Sequence, residues 1–236
     1  MITIKNLSKT YNERVILNIN ELIINNGEFF GLVGNNGAGK TTLLRILLDL
    51  IRVDKGDVHS DSYIVSESEN WKIYTNSYLD EGFLIDFLSP EEFFYFIGQE
   101  YGYTKIDIDQ KLVGFKDFFN NEILGQKKKF IRDFSKGNKQ KIGIVSAILT
   151  EPKVLVFDEP FNSLDPTSQI LLKRILVDYS KSTGATIIIS SHDLNHVVEI
   201  CGRIALIEKG IIIRDMKNDG KALDELENYF STKETY

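Results

Sequence analysis

The sequence predicts an α/β fold: a parallel sheet covered on both faces by helices, preceded by antiparallel strands and interrupted by a helical insertion. Three observations carry this. Apolar strands and helices alternate between residues 139 and 200, a glycine-rich loop joins a strand to a helix at residues 34–39, and two apolar runs end in acidic or polar groups. The 236 residues are 42% hydrophobic and 26% charged, too apolar for a disordered chain and too charged for a membrane-embedded one. No apolar run approaches the ~20 residues of a membrane-spanning helix. The N-terminus lacks the basic and then apolar regions of a signal peptide, so a cytoplasmic location is expected.

Ile2, Ile4 and Leu7 open a strand, Val15 to Ile24 form a second, and Phe29 to Val33 a third. Between the last two, Asn26-Gly27 predicts a tight hairpin, because both residues tolerate positive φ. Leu43, Leu44, Ile46, Leu47 and Leu48 make Thr41 to Asp49 a helix packed on a sheet. Aromatic residues crowd residues 80–135, and Ser89-Pro90-Glu91-Glu92 is a capping box with proline at the first helical position, so this stretch reads as a mostly helical insertion. The α/β pattern then returns: helix at Lys139 to Leu149, strand at Val154 to Phe157, helix at Thr167 to Tyr179, strand at Thr186 to Ile189, helix at Leu194 to Ile200. A closing hairpin is predicted over Ile204 to Ile207 and Ile211 to Ile213, and a short helix after Asn218.

Net charge is −6 and the pI about 5.2, so no basic nucleic-acid footprint is present overall and no nucleic-acid partner is expected. The one basic run, Lys127-Lys128-Lys129, reads as a solvated face. Cys201 is alone, which excludes a disulfide framework and reads as a buried thiol. His192 and His196 stand at i, i+4 without a nearby third ligand, a poor basis for zinc.

Gly34-Asn35-Asn36-Gly37-Ala38-Gly39-Lys40-Thr41 fits the phosphate-loop pattern G-x-x-x-x-G-K-[ST]. Its glycines let backbone N–H groups close on an anion at the positive end of the following helix. Lys40 is spaced to reach β- and γ-phosphates, and the Thr41 hydroxyl suits magnesium. Val154 to Phe157 leads into Asp158 and Glu159, at the strand end where open α/β sheets bind ligands. Neighbouring strand residues point opposite ways, so Asp158 is expected to face magnesium and Glu159 an attacking water. His192 closes a second apolar strand in a position suited to a γ-phosphate sensor.

Phe134-Ser135-Lys136-Gly137-Asn138-Lys139-Gln140-Lys141 lies 23 residues before Asp158 (158 − 135), with Ser135 a good helix N-cap. This segment resembles the signature motif of ABC-type ATPases, Leu-Ser-Gly-Gly-Gln. Ser135 and Gly137 match it, while Phe134, Lys136 and Asn138 depart. The Phe-Ser-Lys-Gly form is similar to that of ATPase subunits of ABC-2-type exporters, and the resemblance extends over nearly the whole chain. It implies a P-loop NTPase (RecA-like) core at 1–79 and 150–216 that includes the antiparallel β subdomain. A helical subdomain at 80–149 would carry the signature, and a tail would follow at 217–236.

The resemblance further implies ATP and Mg²⁺ as ligands. Tyr11 stacks on adenine, residues Gly34 to Thr41 with Thr42 hold the phosphates, and Thr41 and Asp158 hold the metal. Glu159 and His192 are catalytic. Ser135 and Gly137 serve the ATP of a second copy, and Asp165, in Ser163-Leu164-Asp165, makes a dimer contact. Glu81, in Tyr78-Leu79-Asp80-Glu81, stands where the family has a glutamine and is a further candidate for the metal. Two copies would close head-to-tail around two ATPs and drive a separate integral-membrane permease, with the chain peripheral on the inner face of the cell membrane. Two other functions remain open at this point: a catalytically degenerate nucleotide-gated clamp, and a soluble non-transport ABC ATPase.

Overall fold

A computed structural model describes residues 1–126 and 129–231. Lys127 and Lys128 of the basic run lie outside the described residues. In chain order the strands are β1 (Ile2–Tyr11), β2 (Arg14–Ile24), β3 (Phe29–Val33), β4 (Lys55–Ser60), β5 (Tyr63–Ile64), β6 (Thr75–Tyr78), β7 (Val154–Asp158), β8 (Thr186–Ser191), β9 (Arg203–Glu208) and β10 (Ile211–Lys217). The helices are α1 (Lys40–Leu47), α2 (Pro90–Glu100), α3 (Lys105–Val113), α4 (Lys116–Phe119), α5 (Lys136–Leu149), α6 (Pro166–Thr183), α7 (Leu194–Ile200) and α8 (Ala222–Ser231).

The described strands build two sheets. One is antiparallel, in the order β2-β1-β4-β5; the other runs β10-β9-β3-β8-β7-β6 and is parallel except at the β9–β10 hairpin. Strands β3, β7 and β8 are buried at every position, because helices and the second sheet cover both faces. One apolar core lies between the central sheet and the helices; the other, with Leu43, Leu44 and Leu47 of α1, fills the space between the sheets.

The expected hairpin at Asn26-Gly27 is not one. Glu28 N–H donates to Asn25 O at 3.3 Å, and only Gly27 has positive φ (76°). Positive φ at the third position of a turn splays the flanking strands rather than pairing them. Strand β2 therefore stays with β1, while β3 crosses into the other sheet between β8 and β9. Strands β4 and β6 are not evident in the sequence, since Lys-Gly-Asp-Val-His-Ser and Thr-Asn-Ser-Tyr carry little apolar alternation.

The insertion is helical and its rings divide. Phe93, Phe94, Phe118 and Phe119 are buried, whereas Phe83, Phe87, Phe96 and Tyr101 are exposed. Ser89 and Glu92 form the capping box of α2. Helix α5 lies flat on β6 because Gly143 has no side chain: a Cβ there would stand 2.0 Å from the Tyr78 ring. Among the described residues, no helix is long and apolar enough to cross a membrane.

Candidate nucleotide site

The loop between β3 and α1 is shaped around Gly39, whose φ of 110° is open to glycine and costly for other residues. A Cβ there would also meet Leu17 at 2.8 Å, so the loop sits tight against β2. From the other side, Gly210 N–H in the β9–β10 turn donates to Ala38 O at 2.8 Å. Asn35, Asn36 and Gly37 face solvent at the crest, with Ala38 N–H donating back to Asn35 O at 3.0 Å. Helix α1 has no side-chain cap and no acid in its first turn. The N-terminal amides contributed by Lys40, Thr41 and Thr42 therefore have no capping side chain, which suits an incoming anion.

Lys40 is buried, and its ammonium donates to Gly34 O at 2.7 Å and to Asn35 O at 3.4 Å. The same ammonium stands 3.2 Å from Glu159 Oε1. That contact is an ion pair without hydrogen-bond alignment, since Oε1 is buried and has no hydrogen-bond partner. Thr41 Oγ1 donates to Asp158 Oδ2 at 2.5 Å, and Ser190 Oγ donates to Asp158 Oδ1. A hydroxyl and a carboxylate side by side are hard oxygen ligands of the kind magnesium takes, so these two residues fit that metal.

Strand alternation does not aim Glu159. Strand β7 ends at Asp158, and Glu159 turns into the left-handed region with φ 49°. Such a backbone costs of order 1 kcal/mol or more for a residue other than glycine. Partners hold it there: Glu159 N–H donates to Ser190 Oγ at 2.9 Å, and Gln140 Nε2 donates to Pro160 O at 3.2 Å. Glu159 Oε2 meets His192 twice, accepting from the backbone N–H at 3.2 Å and lying 2.9 Å from Nδ1. Lys40, Thr41, Asp158, Glu159 and His192 thus converge at the ends of adjacent elements. Ser190 was not foreseen, although a polar residue closing an apolar strand beside His192 was its signal.

Of the remaining residues, none makes a hydrogen bond or ion pair to this group, and Glu81 alone shares a cavity with it. Ser135 caps α5, accepting from Asn138 N–H at 3.2 Å, and is exposed. Gly137 abuts Ser163, whose carbonyl oxygen would lie 2.6 Å from a Cβ. Asp165 caps α6, accepting from Ser168 N–H at 3.0 Å and Oγ at 2.5 Å, which holds its carboxyl below the usual range. Tyr11 stands about half exposed at the tip of the β1–β2 hairpin. Glu81 lines a cavity of about 350 Å³ together with Lys136, Asp158 and Glu159. Its carboxylate is 3.4 Å from Lys139 Nζ, so any turn toward a metal must give up that ion pair.

An uncapped helix behind a glycine loop, a lysine inside that loop and an acid pair at the end of β7, two strands away in the same sheet, define a P-loop nucleotide-binding protein. Residues 17–162 match the ABC transporter family, and the chain belongs to it. The lantibiotic transport ATP-binding protein SrtF of Streptococcus pyogenes is 35% identical over 235 residues, spanning 97% of this chain and 96% of SrtF. The methionine import ATP-binding protein MetN of Clostridioides difficile is 32% identical over 225 residues, spanning 90% of this chain and 67% of MetN. A dimeric post-hydrolysis structure of the ATP-binding cassette MJ0796, bound to ADP and Pi, matches with a TM-score of 0.81 at 22% identity, over 93% of this chain and 100% of that one, and shares the fold. The chain is an ABC-type ATP-binding domain, in a family whose members generally hydrolyse ATP.

Proposed function

We propose that this chain is the ATP-hydrolysing subunit of an ABC-2-type membrane exporter, acting as a head-to-tail pair on a separate permease at the inner face of the membrane. The convergence of Lys40, Thr41, Asp158, Glu159 and His192 on one point carries the reading. Residues 34–42 bind the triphosphate, and Lys40 exchanges Glu159 and Gly34 O for phosphate oxygens. Magnesium, held by Thr41 and Asp158, would supply charge neutralisation of the phosphates. Released from Lys40, the Glu159 carboxylate accepts a proton from the attacking water, with His192 orienting it.

Ser135 and Gly137 serve the ATP of the second copy through the N-terminus of α5, and Asp165 lines the contact between copies. The dimeric state of MJ0796 supports pairing, the name of SrtF supports a part in transport, and the Phe-Ser-Lys-Gly form of the signature supports export. Residues 80–149 act as the subdomain that carries the signature to the partner, and their exposed rings Phe83, Phe87 and Phe96 offer apolar area to a permease.

Glu159→Gln tests the reading. Hydrolysis should fall by about 10²–10⁴, the range of a lost general base. Gel filtration with ATP should then show a persistent dimer. Hydrolysis at the parent rate would remove Glu159 from its role, and transport into inside-out vesicles containing the co-purified permease would check direction.

A further inference from the structure

Tyr11 is placed by more than its strand. Past a register shift at Lys9/Thr10, Tyr11 pairs with Arg14 across a two-residue turn whose members, Asn12 and Glu13, both have positive φ (47° and 65°). The ring is therefore at a fixed hairpin tip, and it is 46% exposed. Lys9, two residues earlier and so on the same face of the strand, lays its ammonium 5.0 Å from the ring centroid. That ammonium is itself held, donating to Asp54 Oδ1 at 2.9 Å.

Asp54 comes from the connection between α1 and β4 and grips three consecutive residues of β1. Its carboxylate takes Lys9 at Oδ1 and accepts from Thr10 N–H at Oδ2, at 2.6 Å; its own N–H donates to Ser8 O at 3.0 Å. The Lys9 side chain is only 14% exposed, so it is packed beneath the ring rather than swinging in solvent. A cation within about 6 Å of a ring centroid is attracted to the ring face. With one face occupied by Lys9, the ring has one face left to offer.

Resting on the reading of Tyr11 as the base-stacking residue, we propose that Lys9 and Asp54 are positioning residues for the nucleotide base. Asp54 fixes Lys9, Lys9 fixes the Tyr11 ring, and the free ring face receives the purine. Holding the ring in its bound orientation before the ligand arrives reduces the ordering cost of stacking. The contribution belongs to the base and not to the phosphates, which bind at residues 34–42.

Inorganic tripolyphosphate, which has no base, separates the two. Affinities for ATP and for tripolyphosphate, both with magnesium, are measured by calorimetry on the full chain. Tyr11→Ala should weaken ATP about tenfold, the scale of one base–aromatic stack, and leave tripolyphosphate unchanged. Lys9→Met and Asp54→Asn should each weaken ATP about two- to fivefold, with the double variant no worse than either. Lys9→Arg should restore ATP affinity, since a guanidinium both pairs with a carboxylate and stacks on a ring. If Tyr11→Ala weakens ATP but Lys9→Met and Asp54→Asn do not, the inference is overturned while the stacking role survives. Equal losses for ATP and tripolyphosphate would also overturn it, as they would mark a general loosening of the fold. No effect of Tyr11→Ala on ATP would remove the stacking role and the inference together.

Discussion

At the residue scale, the site is a set of charges that satisfy one another. Lys40 is a buried cation whose neighbours are two backbone carbonyl oxygens and Glu159, which phosphate oxygens can replace. Charge-assisted hydrogen bonds contribute about 1.5–3 kcal/mol each, so Lys40→Ala should weaken ATP binding at least about tenfold. Unchanged affinity by calorimetry would contradict the phosphate loop. Asp158 Oδ1 and the Glu159 amide share a single hydroxyl, that of Ser190, which is fully buried. Ser190→Ala removes both contacts and should release the left-handed turn at Glu159. The expected result is a fall in turnover larger than the fall in ATP affinity, read from steady-state rates against equilibrium binding.

At the element scale, α5 is unusual among the helices around it. Its first turns carry Lys136, Lys139 and Lys141 and no acid, against the direction its dipole favours. Helices α2 and α3 have acids there instead. Two of the lysines are compensated from other elements: Lys139 by Glu81 and Lys141 by Asp165 at 3.9 Å. Partly exposed pairs of this kind contribute about 0.2–1 kcal/mol and weaken with salt. A double-mutant cycle on Glu81→Gln and Lys139→Gln, read by thermal melting, should give a coupling in that range that vanishes near 1 M salt. A coupling indistinguishable from zero at low salt would mean the two side chains do not meet in solution.

At the scale of the whole molecule, the lowered pKa values of His196, Asp54 and Asp165 argue for loss of stability in acid. Burial against the Phe161 ring pushes the His196 imidazole below its ordinary 6.5, against the opposing charges of Asp193, Glu199 and Glu159 and with that of Lys173. A base whose folded pKa is depressed contributes stability above its unfolded value and loses it as pH falls through the folded value. Asp54, held down by Lys9 and Thr10, and Asp165, held down by Ser168, lie below their ordinary 3.8 and act in the same sense at lower pH. The melting temperature should therefore be flat between about pH 6.5 and pH 8, decline below that range, and decline again below about pH 4. His196→Phe, which keeps the ring contact, should remove the first decline and leave the second.

Sequence alone determined the chemistry of this protein: the glycine loop, the acid pair closing an apolar strand, and the signature segment are local patterns, and local patterns are legible because neighbouring residues act together. The core elements were legible for the same reason, from Phe29 to Val33 through Leu194 to Ile200. Polar strands such as β4 and β6 were not, since their place in a sheet comes from partners distant in the chain. Tertiary structure alone decided that Asn25 to Glu28 divides two sheets and that Glu159 is aimed by a left-handed turn rather than by pleating. It likewise decided that Ser190 ties the acids together and that Asp54 reaches under Tyr11's neighbour. The last three rest on contacts between residues 30 or more positions apart, and no local rule of spacing or propensity reaches that far.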